Sequence, residues 1–150
     1  MTVTRANIES ILVQRTGALM TFAGYAVTVA GSNANLNDPI GYALRQVGYS
    51  VASIALVVDA DLATIDSDDI DQILDIAELR TLENISGNLD DVDITTGPVK
   101  ENLSQIAANL EKRMARLQEK INYSYGTGVT ATTSSIIHDF AEHNDTDITA

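Results

Sequence analysis

The sequence predicts an all-α protein, a helical bundle of about four helices with a long C-terminal helix and an extended C-terminal tail. Two observations predict this fold class. Apolar residues recur every three or four positions in successive segments, which is the spacing that places side chains on one face of an α-helix. Residues that begin or end helices, chiefly Asp, Ser, Pro and Gly, stand at the boundaries of those segments.

The length and composition fit a single hydrophobic core. The chain has 150 residues, 45% of them apolar, which is enough for one domain of ordinary size. The composition changes at Gly126, where a run of uncharged residues begins. We therefore expect residues 1–125 to form the helical bundle domain and residues 126–150 to form an extended tail.

The first helix is predicted to begin near Thr4 and to close at Gly24. Thr4 is a favourable capping residue, and Gly24 can adopt the left-handed conformation that ends many helices. Gly17 lowers the helix propensity in the middle of the segment, so a break there is an alternative. The predicted apolar stripe comprises Ile8, Ile11, Leu12, Arg15, Leu19 and Phe22.

The second helix is predicted to follow a polar loop at residues 31–35. Asp38 is expected to cap its N-terminus, and Pro39 suits the first turn, where its missing N–H costs nothing. Gly48 is expected to end it. The predicted apolar face comprises Ile40, Ala43, Leu44 and Val47.

Two apolar segments are too short for periodicity to assign. Residues 25–30 alternate and are rich in β-branched side chains, but their length does not require a strand. Residues 51–58 fit either another helical turn or a buried strand. Residues 59–62 then indicate a short capped helical turn.

An acidic helix start follows at residues 66–71. Asp66 or Ser67 is expected to cap this helix, and Asp68, Asp69 and Asp71 then meet the positive end of the helix dipole. Residues 86–88 are expected to end it. The predicted stripe comprises Ile70, Ile73, Leu74, Ala77, Leu82 and Ile85.

The same acidic segment superficially resembles a calcium-binding loop. An EF-hand needs Gly at its sixth position and Glu at its twelfth, where this segment has Asp71 and Ala77. A helix N-terminus with dipole-matched acids is therefore the favoured interpretation.

The last helix is predicted to open at Gly97-Pro98 and to run to Tyr125. About 28 residues at 1.5 Å each give a rod of roughly 42 Å, which suits packing along a bundle or a neighbouring subunit. Its stripe comprises Val99, Leu103, Ile106, Leu110, Met114, Leu117 and Ile121.

A short apolar hook interrupts the polar tail. Residues 126–135 carry no charge, and residues 138–147 carry four acids and no base. The hook between them, Ile136, Ile137 and Phe140, either folds back on its own bundle or inserts into a groove on a partner. The uncharged linker before it favours a partner, because capping a core does not need one.

Charge and composition exclude several function classes. Nine Lys and Arg against twenty-one Asp and Glu give a net charge of −12, which opposes any grip on nucleic-acid phosphates. The chain has no Cys, and His138 and His143 are spaced wrongly for a helical metal pair. No phosphate-binding or nucleophile motif is present. We expect no enzyme activity, no cofactor and no metal.

Targeting signals are also lacking, since charged residues interrupt the N-terminal apolar segment and no apolar run reaches membrane length. We therefore expect no membrane association, and a protein that is soluble in the cytoplasm or assembled there.

The basic residues concentrate on the last helix. Lys112, Arg113, Arg116 and Lys120 form either a solvated helix face or a strip that docks an acidic partner. Residues 59–93 hold twelve acids and one base, for a net −11, so the partner could be another copy of the chain.

Two segments carry a family resemblance. Residues 37–49 (NDPIGYALRQVGY) and residues 75–85 (DIAELRTLENI), together with the long last helix and the trailing tail, resemble head-to-tail adaptor (connector) proteins of tailed bacteriophages. The resemblance covers residues 4–125, and its motifs are packing and capping motifs.

The resemblance implies a structural virion protein located in the neck, between capsid and tail. Such adaptors are helical bundles that form a homo-oligomeric ring of about twelve copies. The ring binds the portal protein, receives a tail-side stopper or tail-completion protein, and extends the channel through which genomic DNA passes without specific binding. The family has no catalytic residues to transfer.

An acidic channel would repel the DNA duplex and keep it sliding. We therefore hypothesise that Asp66, Asp68, Asp69 and Asp71 line the channel. The alternative is a small acidic helical module that binds or regulates a basic protein partner, and an enzyme with an unrecognised carboxylate site ranks last.

Overall fold

The structure is a computed structural model that describes residues 2–90 and 98–126. Five α-helices and two short 3₁₀ turns make up its regular structure, without strands in these ranges. The helices are α1 (Arg5–Phe22), α2 (Asn37–Val47), α3 (Asp59–Leu62), α4 (Ile70–Asp90) and α5 (Pro98–Tyr125). The predicted all-α bundle is confirmed. The predicted tail lies outside the described residues from residue 127 onward.

α4 is the central helix of the bundle. It packs against α2, α1 and α5, whereas those three helices make few contacts with one another. α5 runs antiparallel to α4, because Asp75 of α4 pairs with Lys120 and Glu78 pairs with Arg113. The buried apolar core is drawn from all four of these helices and includes Ile8, Leu12, Ile40, Leu44, Ile73, Leu82, Leu110 and Leu117.

Both ends of α1 match the sequence prediction. The Thr4 hydroxyl accepts a hydrogen bond from the Asn7 N–H, and Gly24 follows the helix with φ +77°. The helix continues without a break through Gly17. The predicted stripe is only partly correct, because Phe22 is half exposed while Met20 is fully buried.

α2 begins two residues earlier than a cap at Asp38 would allow. Asn37 is the first helical residue, and its preceding residue makes no side-chain cap, so the expected capping role of Asp38 is wrong. The Asp38 carboxylate instead accepts hydrogen bonds from Arg80 and Asn84 of α4. Gly48 ends the helix as predicted, with φ +107°.

Residues 51–58 form neither the helical turn nor the strand that the sequence left open. Val57 is buried, but Ile54 is 85% exposed and lies in a loop that runs towards α3. Residues 25–30 also lack regular structure. Side-chain hydrogen bonds, rather than a sheet, hold both loops.

The acidic helix start is built in two steps. Asp66 accepts a hydrogen bond from the Asp68 N–H and caps a 3₁₀ turn, Ser67–Asp69, which leads directly into α4. α4 then passes through Gly87 and ends at Asp90, so the predicted end at residues 86–88 is too early. α5 has the predicted bounds, and its burial centres on Leu110 and Leu117.

None of the helices, within the described ranges, combines the length and the apolar character needed to span a bilayer.

Candidate functional site

A buried guanidinium joins the start of α1 to two loops. Arg5 is 1% exposed and donates to the Glu9 carboxylate at 2.9 Å, to the Asn37 side-chain oxygen at 3.0 Å and to the Asn33 carbonyl at 2.8 Å. It also donates to the Val57 carbonyl. Each of the three guanidinium nitrogens therefore meets an acceptor, which is what a charge needs to be stable in a core.

Glu9 completes this buried cluster from the other side. Its carboxylate accepts from the backbone N–H of Gly31 at 2.7 Å and of Asn33 at 2.9 Å, besides pairing with Arg5. The charges of Arg5 and Glu9 are neutralised by each other, and their remaining hydrogen-bonding capacity orders the loops. This cluster is a structural anchor, because backbone groups occupy the positions where a ligand would bind.

A second charged cluster joins α1, α4 and α5. Arg15 lies 3.1 Å from the Asp75 carboxylate and 3.1 Å from the Glu78 carboxylate. Arg113 donates to Glu78 at 2.7 Å and to the Arg15 carbonyl at 2.8 Å. The Lys120 ammonium lies 2.6 Å from Asp75. We call these five residues the helix junction.

Tyr125 extends the helix junction to the end of α5. Its hydroxyl donates to Asp75 at 3.0 Å. Burial of the ring, followed by the hydrogen bond to Asp75 and the negative charges of Asp75 and Asp71, raises the pKa of Tyr125 to about 12. The neutral phenol therefore remains a donor to Asp75 across the physiological pH range.

The structure divides the predicted basic strip into two pairs. Arg113 and Lys120 are engaged with Glu78 and Asp75 of their own chain. Lys112 and Arg116 lie on the exposed side of α5, and no described acid pairs with either. Of the four residues predicted for subunit docking, Lys112 and Arg116 are thus the two that are free to meet a partner.

The four predicted channel-lining acids form one corner of the molecule. Asp66, Asp68 and Asp71 are exposed, and Asp69 is half-buried with its carboxylate 2.5 Å from the Tyr49 hydroxyl. That hydrogen bond to Asp69 is the main cause of a raised pKa of Tyr49. We call Asp66, Asp68, Asp69 and Asp71 the acidic corner; whether they face a channel stays a prediction.

A surface contact joins α2 to α4. The Arg80 guanidinium lies 2.9 Å from the Asp38 carboxylate and stacks 5.0 Å from the Tyr42 ring centroid. Burial opposes ionisation of Asp38, but the hydrogen bonds from Asn84 and Arg80 outweigh it and lower the pKa. An open groove of about 250 Å³ lies beside this contact, between α2, α4 and the end of α5.

The remaining predicted residues lie outside the described ranges. Ile136, Ile137 and Phe140 of the predicted hook, and both histidines, fall beyond residue 126. Among the residues that the structure describes, no group of three or more acids and histidines is arranged to hold a metal ion.

Sequence reasoning missed the buried pair of Arg5 and Glu9 and the roles of Asp75 and Glu78. One local signal was available, since charged residues at 5, 9 and 15 interrupt an otherwise apolar helix. Apart from the contact between Arg5 and Glu9, four positions apart, their partners could not be found from sequence, because they lie between 22 and 98 positions away.

Comparisons with protein-family models, with curated proteins and with solved structures give no match for this chain.

Proposed function

We propose that the protein is a head-to-tail adaptor of a tailed bacteriophage, a structural protein of the virion neck. Copies of the chain assemble into a ring beneath the portal protein, extend the DNA channel and receive a tail-side stopper or tail-completion protein. It acts by assembly and catalyses no reaction. Assembly takes place in the host cytoplasm, and genomic DNA passes through the ring without specific binding.

The observation that carries this proposal is the separation of opposite charges on one chain. The acidic corner lies next to the C-terminal end of α5, because Asp71 precedes Asp75 by one turn of α4 and the Tyr125 hydroxyl donates to Asp75 at 3.0 Å. Lys112 lies 13 residues before that end, which is about 20 Å along the helix. A single copy therefore cannot pair these groups with each other, whereas neighbouring copies in a head-to-tail ring can.

The segments that resemble the adaptor family also support the proposal. Residues 37–49 comprise α2 with its terminating Gly48, and residues 75–85 form the middle of α4. The second segment contains Asp75 and Glu78, through which α5 is attached. The resembling residues are thus the ones that organise the bundle, as a shared assembly fold requires.

The acidic corner gives the proposed channel its physical character. Three exposed carboxylates per copy, repeated around a ring, repel DNA phosphates and leave no counterion release to favour binding. In this arrangement, acids that face the lumen let the duplex slide. Acids of the same corner that meet Lys112 and Arg116 of a neighbouring copy hold the two copies together.

The test is assembly with the portal protein of the same virion. The purified chain is mixed with portal rings and imaged by electron microscopy, and we expect an added ring in register with the portal. The variant K112E/R116E is expected to lose this ring. Its matched control is Arg45→Glu, which reverses an exposed charge on α2 outside the strip. Loss of the ring in the control as well, or a ring that forms with K112E/R116E, contradicts the docking role.

Deletion of residues 127–150 tests the predicted hook. We expect weaker docking onto the portal with unchanged helical content by circular dichroism, because the sequence predicts an extended tail after α5. Unchanged docking would remove the hook from the proposal and leave the ring.

The second candidate is a small acidic module that binds a basic protein. The net charge of −12 favours it, because a surface this acidic attracts cationic partners. Sedimentation distinguishes the two: a simple binder forms a complex of one or two copies with its partner, whereas an adaptor forms a large ring alone or on its portal.

A further inference from the structure

A groove with an apolar floor lies between α1 and the middle of α5, and we call it the α1–α5 groove. It has a volume of about 280 Å³ and is lined by Leu19 of α1 and by Ile106, Asn109, Leu110 and Arg113 of α5. Leu110 is buried, whereas Leu19 and Ile106 are half-buried. Apolar side chains thus remain partly open to water here, and an apolar segment that covers them is stabilised by removing that surface from water.

Phe22 extends this apolar surface along α1. It follows Leu19 by three residues, so the two side chains lie on one face of the helix. Phe22 is 49% exposed. An exposed aromatic ring that continues an apolar groove enlarges the area that a docking segment can cover.

The hook of the same chain is within reach of the α1–α5 groove. Gly126 follows the end of α5 with φ +44°, a left-handed conformation that commonly turns the chain back over the last turn of a helix. Asn109 lies 17 residues before Gly126, which is about 26 Å back along α5. Ile136 lies ten residues after Gly126, which spans up to about 33 Å in an extended chain. Residues 127–135 therefore have the length that brings the hook back to the groove.

Charge also favours the tail as the occupant. Asn109, Arg113 and Arg116 are spaced by four and three residues, so they lie on one face of α5. Arg113 lines the groove, and Arg116 is exposed and has no described acid as its partner. Residues 138–147 of the tail contain four acids and no base, and the first of these acids, Asp139, lies within the hook. Apolar side chains flanked by acids thus match an apolar groove flanked by guanidinium groups.

The groove between α2, α4 and the end of α5 is less suited to the hook. Tyr125 itself lines that groove, so a hook bound there would not need a linker of nine residues. Arg80 in its lining is already paired with Asp38 and Glu83, whereas Arg116 beside the α1–α5 groove has no described acid as its partner. Distance and charge therefore both favour the α1–α5 groove.

We propose that, in the free chain, the hook occupies the α1–α5 groove of the same molecule. Residues 127–135 run back along α5, the apolar side chains of the hook cover Leu19 and Ile106, and Asp139 lies near Arg116. The inference goes beyond the proposed function and does not require it, because groove, linker and hook belong to one chain. In the proposed ring, the acidic corner of a neighbouring copy replaces the tail acids at Arg116, and the portal protein takes up the hook.

Cysteine cross-linking within one chain tests the position of the hook, because the natural chain has no Cys. The full-length variant N109C/A141C carries one thiol in the groove and one directly after Phe140, and it is oxidised at low concentration. We expect a disulfide within the monomer that forms at least about tenfold faster than in E111C/A141C, because docking raises the effective concentration of the two thiols. Glu111 is the matched control, since it is exposed on α5 two residues from Asn109 and on the opposite face. Q105C/A141C covers the neighbouring turn.

Each outcome of this experiment decides for or against the inference. A closed monomer that forms faster with N109C or Q105C than with E111C supports it. Equal rates at both faces of α5 show that the tail is not held at the groove, and they overturn it. Disulfide-linked dimers in place of closed monomers would put the hook on a second copy, which also overturns the placement within one chain.

Fluorescence of a single tryptophan keeps the test independent of disulfide geometry, since the natural chain has no Trp. F140W places the indole in the hook, and I148W places it eight residues further along the tail as the matched control. We expect F140W to emit at a shorter wavelength than I148W, because a docked indole is shielded from water. Equal emission of the two variants overturns the inference.

A charge added to the groove shows where the indole is shielded. N109E, combined with F140W, places a carboxylate in the groove opposite the acidic hook, and we expect the emission to move to that of I148W. Q118E makes the same amide-to-carboxylate change at another exposed position of α5, in the lining of the groove beside α2, and should leave the emission unchanged. A shift with Q118E in place of N109E would put the hook in that other groove and overturn the inference.

The inference and the proposed function can fail separately. A ring on the portal, together with equal cross-linking at both faces of α5, keeps the adaptor function and removes the inference. Fast closure of N109C/A141C without any ring on the portal supports the inference and contradicts the adaptor function.

Discussion

At the scale of single residues, the most consequential side chain is Arg5. A cation at 1% exposure is stable only because four acceptors, including Glu9, replace the water that its guanidinium has lost, and a fifth acceptor meets the backbone of the same residue. One of these contacts is made by its own backbone N–H, which donates to Asp59 at 2.7 Å. Removing the guanidinium leaves the Glu9 carboxylate buried without its counter-ion.

Replacing Arg5 by Met is expected to lower the free energy of unfolding by about 3–5 kcal/mol, the usual cost of breaking a buried ion pair. Urea denaturation followed by circular dichroism measures it. The control Arg116→Met removes an exposed guanidinium and is expected to change stability by no more than about 0.5 kcal/mol. Equal effects of the two substitutions would contradict the anchoring role of Arg5.

Tyr125 makes the free energy of unfolding depend on pH in the alkaline range. Its pKa is raised from 10.0 to about 12, so between these values the unfolded chain releases the phenol proton while the folded chain retains it. Stability from this group is complete below pH 10 and is lost as the pH rises towards 12. We expect Tyr125→Phe to flatten this part of the stability–pH curve, measured by urea denaturation.

The same substitution is expected to cost about 1 kcal/mol at neutral pH, because it removes the hydrogen bond to Asp75. Tyr123→Phe serves as the control, since that ring is 93% exposed and is expected to leave both quantities unchanged. A curve that stays equally steep in Tyr125→Phe would show that another group causes the alkaline loss.

At the scale of elements, α5 depends more than α2 on ion pairs for its attachment to α4. Among the described side chains of α5, Leu110 and Leu117 are the ones buried in the core, and the helix junction adds attachment through Arg113 and Lys120. α2 instead buries Ile40, Ala43 and Leu44 against α4. The two helices should therefore respond differently to loss of charge.

Arg113→Ala is expected to accelerate amide hydrogen exchange in α5 while protection in α2 is unchanged, because it removes the contacts to Glu78 and to the Arg15 carbonyl. Arg116→Ala, on the exposed side of the same helix, provides the comparison and should leave exchange unaltered. Uniform acceleration across all helices would mean that α5 does not open as a unit.

Substitution by alanine is expected to change stability in opposite directions at two glycines that have similar surroundings. Gly48 has φ +107° and Gly87 lies inside α4, and neither has an atom within 4 Å of an added Cβ. Gly48→Ala should destabilise by about 1–2 kcal/mol through backbone strain alone. Gly87→Ala should stabilise by up to about 1 kcal/mol through helix propensity. Urea denaturation decides both signs.

The elements also show where sequence reasoning succeeds. The bounds of α5 and the start of α1 were predictable, because apolar periodicity, Thr4 and Pro98 act within a few residues. The role of Asp38 was not predictable, because its partner Arg80 lies 42 positions away. The local sequence also fits a helix cap at Asp38, which is the role that the structure does not show. The structure of residues 51–58 was not predictable for a related reason, since the hydrogen bonds that hold this loop come from the side chain of Asn37 in α2.

At the scale of the whole molecule, the sum of charge matters less than its placement. Acids that lie within the bundle, such as Asp75 and Glu78, are neutralised by bases of the same chain. Among the exposed charges, the acidic corner and the pair formed by Lys112 and Arg116 lie at separate places, and the others described include Arg45, Asp59, Glu83, Glu111 and Glu119. This division gives the chain a direction, which a head-to-tail assembly needs.

A charge swap tests that direction. If K112E/R116E abolishes assembly on the portal, adding D68K/D71K to the same chain is expected to restore it, because the attraction between neighbouring copies is re-established with reversed sign. D68K/D71K alone should fail as K112E/R116E does. Assembly is measured by sedimentation velocity, and lack of restoration by the combined variant would show that the two surfaces do not meet.

The contacts of Arg5 also determine the order in which the chain can fold. Its partners Val57 and Asp59 lie 52 and 54 positions away, so the full set of Arg5 hydrogen bonds forms only after the start of α3 has been synthesised. Closing a loop of that length is slow compared with forming a helix, because the chain must first lose the entropy of the intervening segment. The first turn of α1 therefore becomes fixed only after the loop before α3 has been synthesised, so contacts between distant segments complete the start of this helix.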